Sequence, residues 1–226
     1  MGKLSKTQRP GQSAATLKRM QQAQDANPMC HIQGLIIPAP QCCTQCRHQF
    51  ITFFLKNVIP VCAQYDVRMA VHPYDPPGLP KGYQGTDNWD AAPATVLESL
   101  KKYEAIVDSP YNGFQLCLGT CAEGMRNMRT EILPVVQYLA DKGKIHQVHM
   151  RNVRGGLNDF QEVYHDEGDM NFLEVIRILR DADYAGTYLP DHAPTHPDDP
   201  GKYQAFAFAF GYIKALIDAA NSEVAA

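Results

Sequence analysis

Residues 49–220 alternate between two hydrophobic periods, and that alternation limits the fold more than any other feature of the chain. The segment FITFFLKNVIPVCAQYD, starting at Phe50, has apolar residues at helical spacing and runs into the short apolar stretch VRMAVHP. Residues 92–108 repeat the helical period with Val96, Leu97, Leu100 and Tyr103, and GFQLCLGT follows. Residues 125–142 carry Met128, Ile132, Val135, Val136 and Leu139 on one face and precede KIHQVHMRNV. Residues 169–182, with Phe172, Leu173, Ile176 and Leu179, precede GTYLPDHA, and residues 203–220 predict a last helix. Helical runs alternating with short apolar strands predict βαβ units. The expected fold class is α/β, a partial or complete (β/α) TIM-type barrel with parallel strands.

Two regions are expected: a flexible or atypical segment over residues 1–48, and a barrel-type catalytic region over 49–226. Residues 1–28 are polar and basic, with one helix expected near 14–24. In CHIQGLIIPAPQCCTQCRH, Cys43 and Cys46 have zinc-ligand spacing, with Cys30 or His48 to complete a set. No second paired half follows, so free thiols are the preferred reading there. A net charge of −3 gives no nucleic-acid face, and no apolar run is long enough to span a membrane. The N-terminus lacks the apolar core of a secretory signal. Seven cysteines, an odd number unevenly spread, argue for a reducing compartment, the cytoplasm.

Four of the strands end on a polar or metal-binding residue: His72, Cys117, His149 and Asp191. The intervals between them each accommodate one βα unit. In a parallel sheet the C-terminal strand ends lie side by side, so the four converge on one mouth. Two imidazoles, a thiolate and a carboxylate suit a divalent transition ion. Strand alternation puts Arg68, Ala70 and His72 on one face, and likewise Gln115, Cys117 and Gly119, His149 and Arg151, and Thr187, Leu189 and Asp191. Taken singly, each residue also has a plain structural reading: a bonded histidine, a small core cysteine, a turn-capping aspartate. Arg151 fits either a substrate carboxylate, bidentately, or an ion pair with a mouth acid such as Asp191. His192 fits either a general base or a solvated loop histidine. In YHDEGD, which holds His165, Asp166 and Asp169, Asp169 is expected to cap the following helix.

The runs RMAVHPYDPPGLP, GFQLCLGT, IHQVHMRNV, YHDEGDMNFLEVIRIL and YLPDHAP resemble the mannonate dehydratases, sugar-acid lyases of the xylose-isomerase-like barrel class. The likeness runs from about residue 49 to 220, in order. It implies dehydration of D-mannonate to 2-keto-3-deoxy-D-gluconate. It implies a manganese or ferrous ion held at the positions of His72, Cys117, His149 and Asp191. It also implies proton transfer by His192 and by a tyrosine, Tyr203 or else Tyr212. Arg151 would position the acid. The family barrel has eight strands, so the chain is expected to be an N-terminally truncated or diverged relative. Pairing of two chains would be one way to cover a half barrel's edges. The rival readings are a sugar isomerase or epimerase of the same barrel class, and a metal-binding remnant without turnover.

Overall fold

The computed structural model describes residues 44–73, 75 and 95–224. The zinc alternative at residues 30–48 and the helix expected near 14–24 rest on side chains and segments outside those described. Helix α1 (Thr44–Gln64) leads to strand β1 (Met69–Val71), and α2 (Val96–Glu104) to β2 (Asn112–Cys117). A short α3 (Leu118–Glu123) and α4 (Met128–Asp141) follow, then β3 (Ile145–His149). A hairpin of β4 (Val153–Gly156) and β5 (Asp159–Glu162) precedes α5 (Phe172–Asp181), β6 (Thr187–Leu189) and α6 (Tyr203–Ser222).

Strands β1, β2, β3 and β6 form one sheet in that order, and every pairing is parallel. This is the α/β arrangement with parallel strands that the alternating periods predict, an open part of a barrel among the described residues. The strand period of two divides each strand's side chains between the two faces of the sheet. Phe114, Leu116 and Val148 are fully buried in one core with Ile132, Val135, Val136 and Leu139 of α4 and Phe172, Val175, Ile176 and Leu179 of α5. Burying each such side chain contributes roughly 1.5–3 kcal/mol. The residues in between, Gln115, Cys117, Gln147 and His149, take the other face.

Helix starts follow local chemistry. Thr95 and Glu98 form a reciprocal capping box on α2. Asn171 caps α5, its Oδ1 accepting from Leu173 N at 3.1 Å and Glu174 N at 3.4 Å. This corrects the expectation for Asp169. That carboxylate instead accepts from Gly155 N at 2.9 Å and pairs with Arg129 at 2.6 Å, tying the hairpin to α4.

Two further expectations differ. GFQLCLGT is not strand throughout: β2 stops at Cys117, whose sulfur accepts from Thr120 N at 3.4 Å and starts α3. Gly119 therefore leaves the face of Gln115 and Cys117. It lets α3 lie against Arg151, since a Cβ there would stand 2.8 Å from Arg151 Cγ. The β4–β5 hairpin was not expected, because VRGGLNDFQE lacks clean alternation. It uses positive φ at Gly155 (88°) within β4 and at Asn158 (62°) in the turn.

Asn152 ties these parts together. Its Nδ2 donates to His165 O at 2.9 Å and Met170 O at 3.3 Å, and its Oδ1 accepts from Val153 N and Met170 N. Replacing this buried side chain orphans backbone groups on both sides of the loop. Asn152→Ala is expected to lower stability by about 2–4 kcal/mol, read as a lower urea midpoint; an unchanged midpoint would contradict the bonding described.

Candidate metal centre

Register builds the site. Cys117 pairs with His149, and His149 with Leu189, so Asp191 lies one strand repeat beyond the same row. His72 follows the last residue of β1. The ligand atoms of His72, Cys117 and His149 all lie within 4.8 Å of one another. Donors each about 2.0–2.3 Å from a shared ion would sit within about 4.6 Å of each other, so the cluster is near bonding dimensions. Asp191 joins it: Oδ2 is 3.6 Å from Cys117 Sγ and Oδ1 is 3.2 Å from His149 Nδ1. The backbone at Asp191 has φ 68°, a left-handed conformation that an aspartate adopts at a cost.

The donor set fits a divalent transition ion. His149 Nδ1 is buried, and although Asp191 is at ion-pair distance the line is too oblique for a hydrogen bond, so this atom has no aligned partner. A buried lone ring nitrogen beside a sulfur and a carboxylate is what a cation would satisfy. Around these side chains, Gln115 Nε2 lies 2.7 Å from His149 Nε2, and Thr120 Oγ1 lies 3.2 Å from Cys117 Sγ. His165, itself buried, has Nε2 3.0 Å from Pro190 O, directly before Asp191. Burial pushes the His165 imidazole below its usual range, so the ring is neutral and Nε2–H donates.

The charges split into two groups. Burial works against an imidazolium at His149, but the neighbouring Asp191 and Cys117 outweigh it and push its pKa up to about 9. Asp191 is half-buried, which works against its charge, yet His149 and then His192 hold its carboxyl below the usual range. Beneath the mouth, Arg151 is buried among three carboxylates. Its NH2 contacts Glu123, its Nε donates to Glu162 at 2.9 Å and its NH1 reaches Asp75 at 3.3 Å. Burial raises Glu123 to about 7, against the pull of Arg151. Asp75 also accepts from Thr120 Oγ1 at 3.1 Å, which connects the Arg151 group to the Cys117 sulfur.

The site residues expected from sequence therefore fall in four positions. His72, Cys117, His149 and Asp191 come together. Arg151 is close by, but its guanidinium is turned to this chain's own acids, none of them Asp191, and is not held open as a carboxylate fork. His192 stands at the rim, half exposed, its Nδ1 3.0 Å from Glu162 Oε1 and its Nε2 3.9 Å from Asp191. Tyr203 begins α6 and is 82% exposed, and no hydrogen bond or ion pair joins it to the four among the described residues. Tyr212 is half-buried within α6 and stacks on Phe208 at 5.8 Å. Asp75, Glu123 and Glu162 were not singled out from sequence. Glu162 in particular had no signal, since its strand was unread.

The parallel β/α sheet gathers nitrogen, sulfur and carboxylate donors at the C-terminal ends of its strands, which defines a candidate metal centre on a β/α-barrel type of fold. The sequence profile of the D-mannonate dehydratase (UxuA) family matches residues 43–225, and the chain belongs to that family. It is 36% identical over 149 residues to the mannonate dehydratase of Thermotoga neapolitana, an alignment covering 63% of this chain and 38% of that protein. The crystal structure of mannonate dehydratase from Streptococcus suis serotype2 superposes with a TM-score of 0.68 at 25% identity, covering 87% of this chain and 56% of that one. A xylose isomerase domain protein from Alicyclobacillus acidocaldarius shares the fold, with a TM-score of 0.56 at 13% identity over 95% of this chain and 76% of its own. The chain thus spans well under two thirds of the mannonate dehydratases it matches. No helix among the described residues is long and apolar enough to cross a membrane.

The His149–Asp191 pair predicts a pH signature. A histidine raised from 6.5 to about 9 stabilises the metal-free fold fully below 6.5 and loses that contribution as pH rises through 9. Asp191, depressed from 3.8, contributes above 3.8 and loses its share as pH falls below it. In EDTA, wild-type stability is expected to fall between pH 6.5 and 9 more steeply than that of His149→Gln. Parallel curves in urea melts would contradict the pairing.

Proposed function

We propose that this chain carries the metal site and proton-transfer face of a sugar-acid dehydratase acting on D-mannonate, with 2-keto-3-deoxy-D-gluconate and water as products. The observation that supports this most is the gathering of His72, Cys117 and His149, with Asp191 against two of them, in a member of the UxuA family. His72, Cys117, His149 and Asp191 would hold Mn2+ or Fe2+. Such an ion supplies Lewis-acid stabilisation of the negative charge that develops beside the substrate carboxylate.

The remaining work belongs to side chains. In the overall change the C2 proton is removed and the C3–O bond breaks. The departing hydroxide takes a proton to become water, and the enol gives up its C2 hydroxyl proton and takes one at C3 as it becomes the ketone. His192, at the rim with one ring nitrogen toward Asp191, is suited to carrying a proton to or from these positions. A tyrosine, Tyr203 in our reading, would be the second proton-transfer group. Arg151, bonded to three acids, acts in this reading by fixing Glu162 and Asp75 around the mouth. That engagement favours one second reading, a sugar isomerase or epimerase using the same donors on a substrate without a carboxylate. Residues 49–226 form the catalytic region in this account. The cytoplasm is its proposed compartment, consistent with free thiols at Cys62, Cys117 and Cys121. A second copy is the proposed means of covering the open sheet edges.

Protein loaded with Mn2+ and incubated with D-mannonate is expected to form keto acid, detected as a 2-keto-3-deoxy product, and His149→Ala is expected to abolish both product and stoichiometric metal by elemental analysis. Conversion of a neutral ketose without keto-acid formation from mannonate would overturn the dehydratase reading in favour of the isomerase. Full metal in His149→Ala would overturn the ligand assignment.

A further inference from the structure

Glu162 lies at the end of the β4–β5 hairpin, and one of its oxygens, Oε1, meets two donors: Arg151 Nε at 2.9 Å and His192 Nδ1 at 3.0 Å. A carboxylate oxygen paired with a guanidinium only accepts, so Nδ1 of His192 must be the protonated nitrogen. In the neutral ring this leaves the lone pair on Nε2, and Nε2 is the atom turned toward the metal ligands, 3.9 Å from Asp191 Oδ1. We propose that Glu162 is a positioning residue that fixes His192 in its Nδ1–H tautomer and aims Nε2 at the substrate position over the metal ligands.

The inference deepens the role proposed for His192 and rests on that reading. Without Glu162 the half-exposed ring has two rotational states and two tautomers, and only one combination presents a basic nitrogen to the site. Arg151 supports Glu162 from below. It is buried and also bonded to Glu123 and Asp75, so the carboxylate is anchored at one end before it meets the histidine. The hairpin that delivers Glu162 is joined to the rest of the fold by Asp169, through Gly155 N and Arg129. Among the described residues the ion-pair partners of His192 are Asp191 on its own segment and Glu162 opposite it.

Long-range 1H–15N correlation of the histidine rings, on protein labelled at histidine nitrogens, tests this without any need for turnover. His192 is identified by the signal lost in His192→Ala. In the wild type, at a pH where the ring is neutral, its pattern is expected to be Nδ1–H. Glu162→Ala is expected to shift it to the Nε2–H pattern, while Glu162→Gln, whose amide oxygen still accepts, keeps Nδ1–H. Where the protein turns over mannonate, Glu162→Ala is expected to lower kcat roughly 10- to 100-fold with KM little changed, and to have no further effect in a His192→Ala background. An Nε2–H wild type, or a pattern indifferent to Glu162→Ala, would overturn the proposal. So would a kcat loss of equal size in the His192→Ala background. Absence of turnover with the tautomer result intact would overturn the dehydratase reading alone.

Discussion

The parallel register of β2 on β3, with Cys117 opposite His149, is the constraint on which the rest of the site depends. Because side chains alternate along a strand, a slip of one residue would send Cys117 or His149 into the helix-covered core and bring Leu116 or Val148 to the mouth. The apolar face prevents the slip. Phe114, Leu116 and Val148 are each almost fully buried against α4 and α5, and they fit only in the observed register. Packing on one face therefore sets the ligand geometry on the other. The fourth proposed ligand needs one more device, the left-handed turn at Asp191, which brings its carboxylate back to the row begun by Cys117 and His149.

Arg151 shows how the surrounding shell is held. A buried guanidinium is tolerable only with compensating acids, and here Glu123, Glu162 and Asp75 come from three separate parts of the chain. One route from Arg151 runs through Asp75 and Thr120 to the Cys117 sulfur. The other runs through Glu162 to His192. The same charge thus braces a proposed metal ligand and the proposed proton carrier. This matters because losing a group that hydrogen-bonds to a metal ligand commonly costs roughly 10- to 100-fold in metal affinity or activity.

Much of the strand and helix order was legible because helical and strand periods differ and the segments are short and clean. The gathering of His72, Cys117 and His149 followed from the rule that parallel strands present their C-terminal ends together. What sequence could not show depended on long-range contact or on weak local signals. Asp75 and Glu123 are distant in sequence from Arg151, and Glu162, though close in sequence, comes back to it only through the β4–β5 hairpin. Gly119 read as strand because an apolar run does not reveal where its sulfur begins capping a helix. Asp169 and Asn171 both have cap-forming side chains, and only the tertiary pull of Arg129 and Gly155 on Asp169 decides between them. The hairpin carrying Glu162 has glycines and an asparagine at its turn but no alternating apolar face.

The central claim is that strand ends deliver two nitrogens, a sulfur and an oxygen to one cation. X-ray absorption of the zinc-substituted protein reads that shell directly. The account predicts one sulfur at about 2.3 Å and nitrogen or oxygen donors at about 2.0–2.2 Å, with the sulfur contribution lost in Cys117→Ser. A shell of light atoms only in the wild type, or a sulfur contribution that survives Cys117→Ser, would contradict it.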